Sequence, residues 1–279
     1  MTIATAERPP AEASAAGSAA LLSALVVARN EEAQLAECLS CLAFADEIVV
    51  VLDRCTDSSP EIVPQFTDRV IAGMWEREGP RRNAGIAACR GEWVLEIDAD
   101  ERVGADLAAE IRAVIIGSSA DWHLIPVDNY IGDHLVRYGW GASFGRSAHA
   151  GLFRRGAKHW GDGRVHPAVS LTGVEGPRLS ARLRHHVDRN VSDMLRRLDR
   201  YTTARAQDLR DSGDIGTLPR NLRRIFSRFW KCYVGRRGYR EGAWGFLIAL
   251  CAGLYPILSH LKARLDPREG PQGPAARGD

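Results

Sequence analysis

The run EIVVVL at 47–52 is the strongest constraint in this chain of 279 residues. Four consecutive β-branched side chains suit a strand and point alternately to its two faces, so both faces need apolar cover, as in a central parallel strand. Three further runs read as strands: LLSALVVA (21–28), RVIAG (69–73) and EWVLEI (92–97). Helical patterns separate them. EEAQLAECLSCLAF (31–44) puts Leu35, Cys38, Leu39 and Leu42 on one face, SSPEIVPQF (58–66) reads as a short helix, and PRRNAGIAAC (80–89) carries Pro80 near its start. Strands alternating with helical crossovers predict an α/β fold, a right-handed doubly wound and mostly parallel sheet with helices on both faces. Ligands of such sheets bind beyond the carboxyl ends of the strands. RNEE (29–32) and DADE (98–101) both fall on that edge.

The rest of the chain is less regular. Residues 1–20 are rich in Ala, Pro and Ser, without the basic start and apolar stretch of a secretory signal, and residues 266–279 form a Pro/Gly-rich segment, so both read as disordered tails. Between them, 21–120 reads as the α/β half. Residues 121–215 open with a Gly-, Trp- and His-rich region that suits a second sheet layer with binding loops. That region ends in DRNVSDMLRRLDRYTTARAQDLR, an amphipathic helix with Val191, Met194, Leu195, Leu198 and Tyr201 on one face. Residues 216–265 join an Arg-rich stretch to GAWGFLIALCAGLYPILSHL (242–261), about twenty residues free of formal charge, which reads as a membrane span or interfacial anchor, or else as a buried helix. From 178 to 240 there are seventeen Lys and Arg against six Asp and Glu, which favours an anionic partner such as a membrane surface. Nucleic-acid binding would rest on charge alone, with no recognition motif, and none is expected. Six cysteines show neither a disulfide framework nor zinc spacing, and read as reduced thiols; Cys38 and Cys41 are spaced as two residues of one helix.

Three carboxylates, Asp98, Asp100 and Glu101, crowd the end of the fourth strand. Two acids at such a bend repel unless paired, and a hard divalent cation such as Mg²⁺ or Mn²⁺ resolves the conflict by taking one or two carboxylates, with waters and phosphate oxygens filling its shell. The alternative is a solvated loop in which Glu101 caps the next helix. DRCTDSS (53–59) adds Asp53 and Asp57 to the same edge, and Arg81 and Arg82 stand at a helix start, where anionic phosphates settle.

Taken together and in order, LSALVVARNEEAQLAECLSCL, EIVVVLDRCTDSS and RRNAGIAACRGEWVLEIDADE resemble the nucleotide-sugar-binding half of the family 2 glycosyltransferases, over 21–116. GLFRRGAKHWGDGRVHPAV (151–169) and the apolar C-terminal region are further similar to the branch containing lipopolysaccharide core β-glucosyltransferases. The resemblance implies a GT-A fold and inverting transfer from a nucleotide-sugar, by analogy a UDP-sugar, to a cell-envelope glycan or glycolipid. It implies that the main chain from Ala28 through Asn30 to Glu31, with Asp53, holds the nucleoside. Arg82 and Asn83 would lie by the nucleotide, Asp98 would face ribose or metal, and Asp100 would bind the metal on the leaving diphosphate. The implied place of work is the cytoplasm, on the inner face of the cytoplasmic membrane. Two positions depart from the family pattern: Leu52 stands where an acid is usual before Asp53, and Pro167 follows His166 where the branch commonly has Glu.

Inverting transfer needs a base for the acceptor hydroxyl. Asp162 and His166 in WGDGRVHP are the candidates, Asp128 the third; each also has a structural reading, Asp162 as a turn residue above all. Two rival functions keep the same fold. A polyprenyl-phosphate glycosyltransferase would need little help from a base, and an inactive membrane-peripheral nucleotide-sugar-binding protein would need none.

Overall fold

The computed structural model describes residues 22–140, 147–163 and 168–267. Its first strand, β1 (Leu22–Ala28), is buried along its whole length, followed by helix α1 (Glu32–Ser40). The chain continues through β2 (Glu47–Asp53), the single-turn α2 (Ser59–Ile62), β3 (Val70–Gly73), α3 (Glu78–Ala88) and β4 (Trp93–Asp98). These four strands pair in parallel in the order β3-β2-β1-β4. The order reverses between β1 and β4, which makes their carboxyl ends a topological switch point.

Side-chain alternation sorts the apolar residues into two cores. Leu22, Ala24, Val26, Val50, Leu52, Leu95 and Ile97 face α1 and, in the next segment, α4 (Ala105–Gly117). Leu25, Val27, Val49, Val51 and Val94 face α3 through Ile86 and Cys89. The β-branched run is therefore covered on both faces, as its composition requires. A Cβ on Gly85 of α3 would lie 2.5 Å from Leu25 Cδ1, so the third helix sits close on the sheet only because that residue is glycine. All six cysteines are free; Cys38 lies in the α1 core beside the less buried Cys41.

Beyond β4 the chain forms β5 (Glu101–Arg102), β6 (Trp122–Ile131), β7 (His134–Val136), β8 (Ala148–Arg154), β9 (Lys158–Trp160), β10 (Val169–Leu171) and β11 (Leu183–Asp188). Most of these do not make the expected second layer. β8 pairs antiparallel with the open edge of β4, and the sheet continues β8-β6-β11-β5, with β7 on β6. The backbone of β4 needed a partner on that edge, and β8 supplies it. Only β9 and β10 stand apart, as a two-stranded ribbon.

Three helices complete the described chain: α5 (Val191–Asp211), α6 (Leu218–Trp230) and α7 (Gly242–Leu265). The buried face of α5 is Met194, Arg197, Leu198, Thr202 and Ala206, whereas Val191 and Leu195 are exposed, a rotation of the expected face. Arg197 lies on the buried side: its Nη2 meets the buried Asp188 carboxyl at 2.6 Å and ties α5 to the end of β11. Met194 and Leu198 then pack with Ile131, Val136, Ile248 and Cys251, which joins the helices to the sheet. Gly238–Leu265 is long and apolar enough, by length and composition, to cross a membrane, yet half of its apolar window is buried inside the protein. The uncharged stretch at 242–261 thus serves at least partly as a core helix.

Arg197→Ala would strand the Asp188 carboxylate in the interior, and is expected to cost about 3 kcal/mol in urea unfolding. The pair replacement Arg197→Met with Asp188→Leu should recover much of that loss.

Candidate active site

At the switch point, Asp98 ends β4 and Asp100 begins the turn into β5. Glu101 neither caps α4, whose N-cap is Gly104, nor faces solvent: it is fully buried, and its Oε2 accepts the Asp98 main-chain N–H at 2.9 Å. This closes the bend and turns the two aspartates outward from the strand. β5 then pairs antiparallel with β11, His185 opposite Glu101, and the His186 N–H donates to the Asp100 carbonyl at 2.8 Å. His185 arrives beside the aspartate as a result. Its Nε2 is 3.2 Å from Asp100 Oδ2 and its Nδ1 3.0 Å from Asn129 Oδ1.

The other oxygen, Asp100 Oδ1, is buried and has no hydrogen-bond partner among the described residues. An orphaned carboxylate oxygen in a native site calls for an ion or water. Nearby Glu31, at the start of α1, has its pKa raised, first by burial and then by the charges of Asp100 and Asp98, against an opposing hydrogen bond from Gln34. Negative potential therefore collects here from both β1 and β4. Two aspartates suit Mg²⁺ or Mn²⁺, which demand few protein ligands. Among the described residues no three His, Cys, Asp or Glu side chains form a ready-made metal cluster.

Behind Asp98 lies a buried ionic cluster. Arg82 reaches three acids: Nε donates to Glu78 Oε1, Nη1 to Glu96 Oε1 and Nη2 to Asp98 Oδ1, each at 2.8 Å. Glu96 is also held by Lys158 Nζ at 2.5 Å and Trp160 Nε1 at 3.3 Å. Burial opposes the charges of Arg82 and Glu96. Even so, Asp98, Glu96 and Glu78 raise the Arg82 pKa well above its ordinary value, and Lys158 and Arg82 hold Glu96 below the usual carboxylate range. The Arg82 guanidinium and Lys158 ammonium both sit over the Trp160 ring, each 4.8 Å from its centroid.

Arg82 is thus spent on positioning Asp98. Asn83 is spent on the β9 end: its amide donates to the Trp160 carbonyl at 2.8 Å and accepts the Trp160 N–H at 3.0 Å. From this helix Arg81, with Glu78, lines the neighbouring cleft. A cleft of about 360 Å³ runs along the carboxyl ends of β1 and β2, lined among others by Glu31, Asp53, Arg54, Trp75, Arg77 and Arg81. Asp53 is buried there; burial works against its charge, but hydrogen bonds from Arg54 and the Trp75 N–H, with the charges of Arg54 and Arg81, keep its carboxyl below the usual range. Leu52, one residue earlier, points into the opposite core, so the strand's alternation makes Asp53 the acid at the cleft. Arg54 adopts a left-handed backbone, φ 51°, unusual for a side-chain-bearing residue and found most at functional sites.

The remaining expected residues separate. Ala28 ends β1 in the core and presents its carbonyl to Cys55 Sγ at 3.8 Å. Asn30, also left-handed at φ 58°, accepts the Thr56 N–H at 2.8 Å and so braces the loop after β2. Asp162 is exposed on the loop after β9, and its carbonyl accepts Arg77 Nη1 at 3.2 Å, which puts it at the rim of the cleft. Asp128 is paired with Arg182 at 2.6 Å, away from that rim, in a second cleft with Arg137 and Trp140. His166 lies outside the described residues. Sequence reasoning assigned no role to Glu96, Lys158, Trp160 or His185. The contacts of all four are made with elements distant in sequence.

Arg82→Lys is expected to lower stability by roughly 3 kcal/mol in urea unfolding, since one ammonium cannot serve Glu78, Glu96 and Asp98 together.

Residues 23–129, which hold Asp53, Arg82, Asp98 and Asp100 but neither Asp162 nor His185, match the family model described as Glycosyl transferase family 2. The lipopolysaccharide core biosynthesis glycosyltransferase LpsC of Rhizobium meliloti is 26% identical over 255 residues, covering 86% of this chain and 91% of that protein. The succinoglycan biosynthesis protein ExoO of the same organism is 39% identical over 88 residues, 30% of this chain and 24% of that one. Among solved structures, S. aureus TarS 1–349 covers 86% of this chain and 90% of its own at 14% identity, with a TM-score of 0.46. With the family 2 match lying on residues 23–129, the strands that build the acidic site, and a glycosyltransferase relative running nearly the full length of the chain, this protein is a glycosyltransferase whose first half resembles family 2.

Proposed function

We propose that the protein transfers a sugar with inversion from a nucleotide-sugar, by preference a UDP-sugar, to a cell-envelope glycan or glycolipid such as a lipopolysaccharide core acceptor. The observation that carries this reading is the orphaned Asp100 Oδ1 beside His185 and Asp98 at the β1/β4 switch point. LpsC, the long relative, is by name a lipopolysaccharide core enzyme, which supports the acceptor class.

A divalent cation, Mg²⁺ or Mn²⁺, held by Asp100 and Asp98 with waters and phosphate oxygens completing its shell, would neutralise charge on the departing diphosphate. The chain's own residues do the rest. Asp53 accepts hydrogen bonds from the nucleoside in the β1–β2 cleft, flanked by the main chain from Ala28 to Glu31. Arg81 and Arg77 supply positive charge along the same cleft. Arg82, itself buried, fixes the rotamer of Asp98, so that the carboxylate is in place before substrate arrives and loses little entropy on binding. Asn83 locks the start of α3 to the end of β9 and so sets where the adjoining loop stands. Asp162, on that loop, or His166, four residues later in the sequence, takes the proton from the acceptor hydroxyl. The glycolipid acceptor places this work on the inner face of the cytoplasmic membrane, at an anionic surface.

Asp100→Ala is expected to abolish transfer and to remove the Mn²⁺ dependence of UDP binding, read as a thermal shift with and without metal. Equal UDP affinity of the unaltered protein in Mn²⁺ and in chelator would overturn the metal assignment. Of Asp162→Asn and His166→Ala, at least one should lower turnover by about 10²- to 10⁴-fold with the fold intact. Near-normal turnover in both would remove the base from this loop.

A further inference from the structure

Helix α6 carries an apolar stripe that nothing among the described residues covers. Leu218, Leu222, Phe226 and Trp230 recur every four residues and so share one side of the helix, with Phe226 77% and Trp230 65% exposed. An adjoining side is fixed against α7. Asn221 is buried, and the helices approach so closely that a Cβ on Gly253 would lie 2.8 Å from the Ile225 carbonyl oxygen. The stripe is therefore held outward by the packing. Phe246, on α7, extends it: half exposed, it meets the Phe229 ring edge-on at 5.6 Å between centroids. An apolar patch of this kind on a soluble domain marks a docking surface.

The charge around the stripe selects its partner. From 215 to 240 there are eight basic residues and no acidic one. Among the described residues, Arg220, Arg223, Arg224 and Arg228 have no carboxylate within ion-pair distance. Arg220, Arg224 and Arg228, with Arg205 from α5, line a cleft of about 360 Å³ whose one acid is Asp214. Crowding is felt there: burial first, then Arg228, Arg220, Arg205 and Arg223, push the Arg224 pKa below its ordinary value. Bound anions would relieve that repulsion. A second copy of the chain would instead bring two arginine-rich faces together.

We propose that α6 lies in the interface of an anionic phospholipid bilayer, with Leu218, Leu222, Phe226 and Trp230 entering the acyl boundary and the arginines on lipid phosphates. The inference rests on the reading of the protein as a membrane-surface glycosyltransferase and sharpens it. The half-buried α7 is the buttress that presents α6, and the lipid contact belongs to the shorter, more charged helix before it.

Vesicle flotation of the full-length protein tests this. The protein should float with phosphatidylcholine vesicles that contain phosphatidylglycerol, not with phosphatidylcholine alone, and less as salt is raised. Phe226→Glu with Trp230→Glu should weaken flotation about tenfold or more, as should Arg220→Gln with Arg224→Gln and Arg228→Gln, with urea stability unchanged in both. Equal flotation on neutral vesicles would overturn the proposal, as would flotation that survives both sets of substitutions. So would absence of flotation together with a concentration-dependent dimer that Phe226→Glu dissolves, which would give the face to a second copy. Sugar transfer measured in the same samples keeps the two readings apart: lost flotation with intact transfer concerns α6, and lost transfer with intact flotation concerns the catalytic assignment.

Discussion

The three-way grip of Arg82 on Glu78, Glu96 and Asp98 is the interaction on which the rest of the site depends. Taking these charges out of water is costly, and the cost is met only because each guanidinium nitrogen finds an acid and Glu96 finds a second cation in Lys158. The cluster spans three elements: Arg82 and Glu78 come from α3, Glu96 and Asp98 from β4, and Lys158 from β9. A helix, a central strand and an outlying ribbon are thereby held in one register. A buried network satisfied this fully has one good arrangement, which is what a preformed carboxylate needs.

The same cluster explains how the outlying β9–β10 ribbon, absent from the main sheet, can carry a functional loop. Lys158 and Trp160 anchor it from beneath, Asn83 pairs with its main chain, and Gly79 lets the loop lie against α3, since a Cβ there would fall 1.9 Å from the Gly161 carbonyl oxygen. Between sheet and helices, Arg197 and Asp188 play a similar part. Of these two buried ion pairs, Glu96–Lys158 ties the matched domain to the ribbon that carries the loop after β9, and Asp188–Arg197 ties β11 to the helical layer that presents α6.

Much of the fold was legible from residues alone. The β-branched run at 47–52, the alternation of strands with helices, and the fall of acids and arginines on one sheet edge pointed to the succession of four strands and to Asp53, Asp98 and Asp100 at the carboxyl edge of the sheet. The second half was less legible, because strand pairing is a non-local choice: nothing in the sequence of β8 says that it will take the free edge of β4 in place of starting another layer. The face of α5 was misread for a related reason. Counting apolar residues at helical spacing selected Val191 and Leu195, but the buried side of the helix carries Arg197, paired with Asp188, and both apolar residues stay exposed.

Sequence by itself determined the chemistry on offer: hard oxygen ligands after β4, an acid after β2, a basic helix with apolar residues at every fourth position, and an uncharged stretch long enough for a membrane. Tertiary structure decided how each is used. It spent Arg82 and Asn83 on positioning and Glu101 on closing a bend, and it brought His185 to Asp100 across eighty-five residues of chain. It folded half of the uncharged stretch inward and left the stripe on α6 outside. The physical reason is common to all of these. A side chain's type fixes which interactions it can make, whereas its burial and its partners depend on which distant strand or helix arrives beside it.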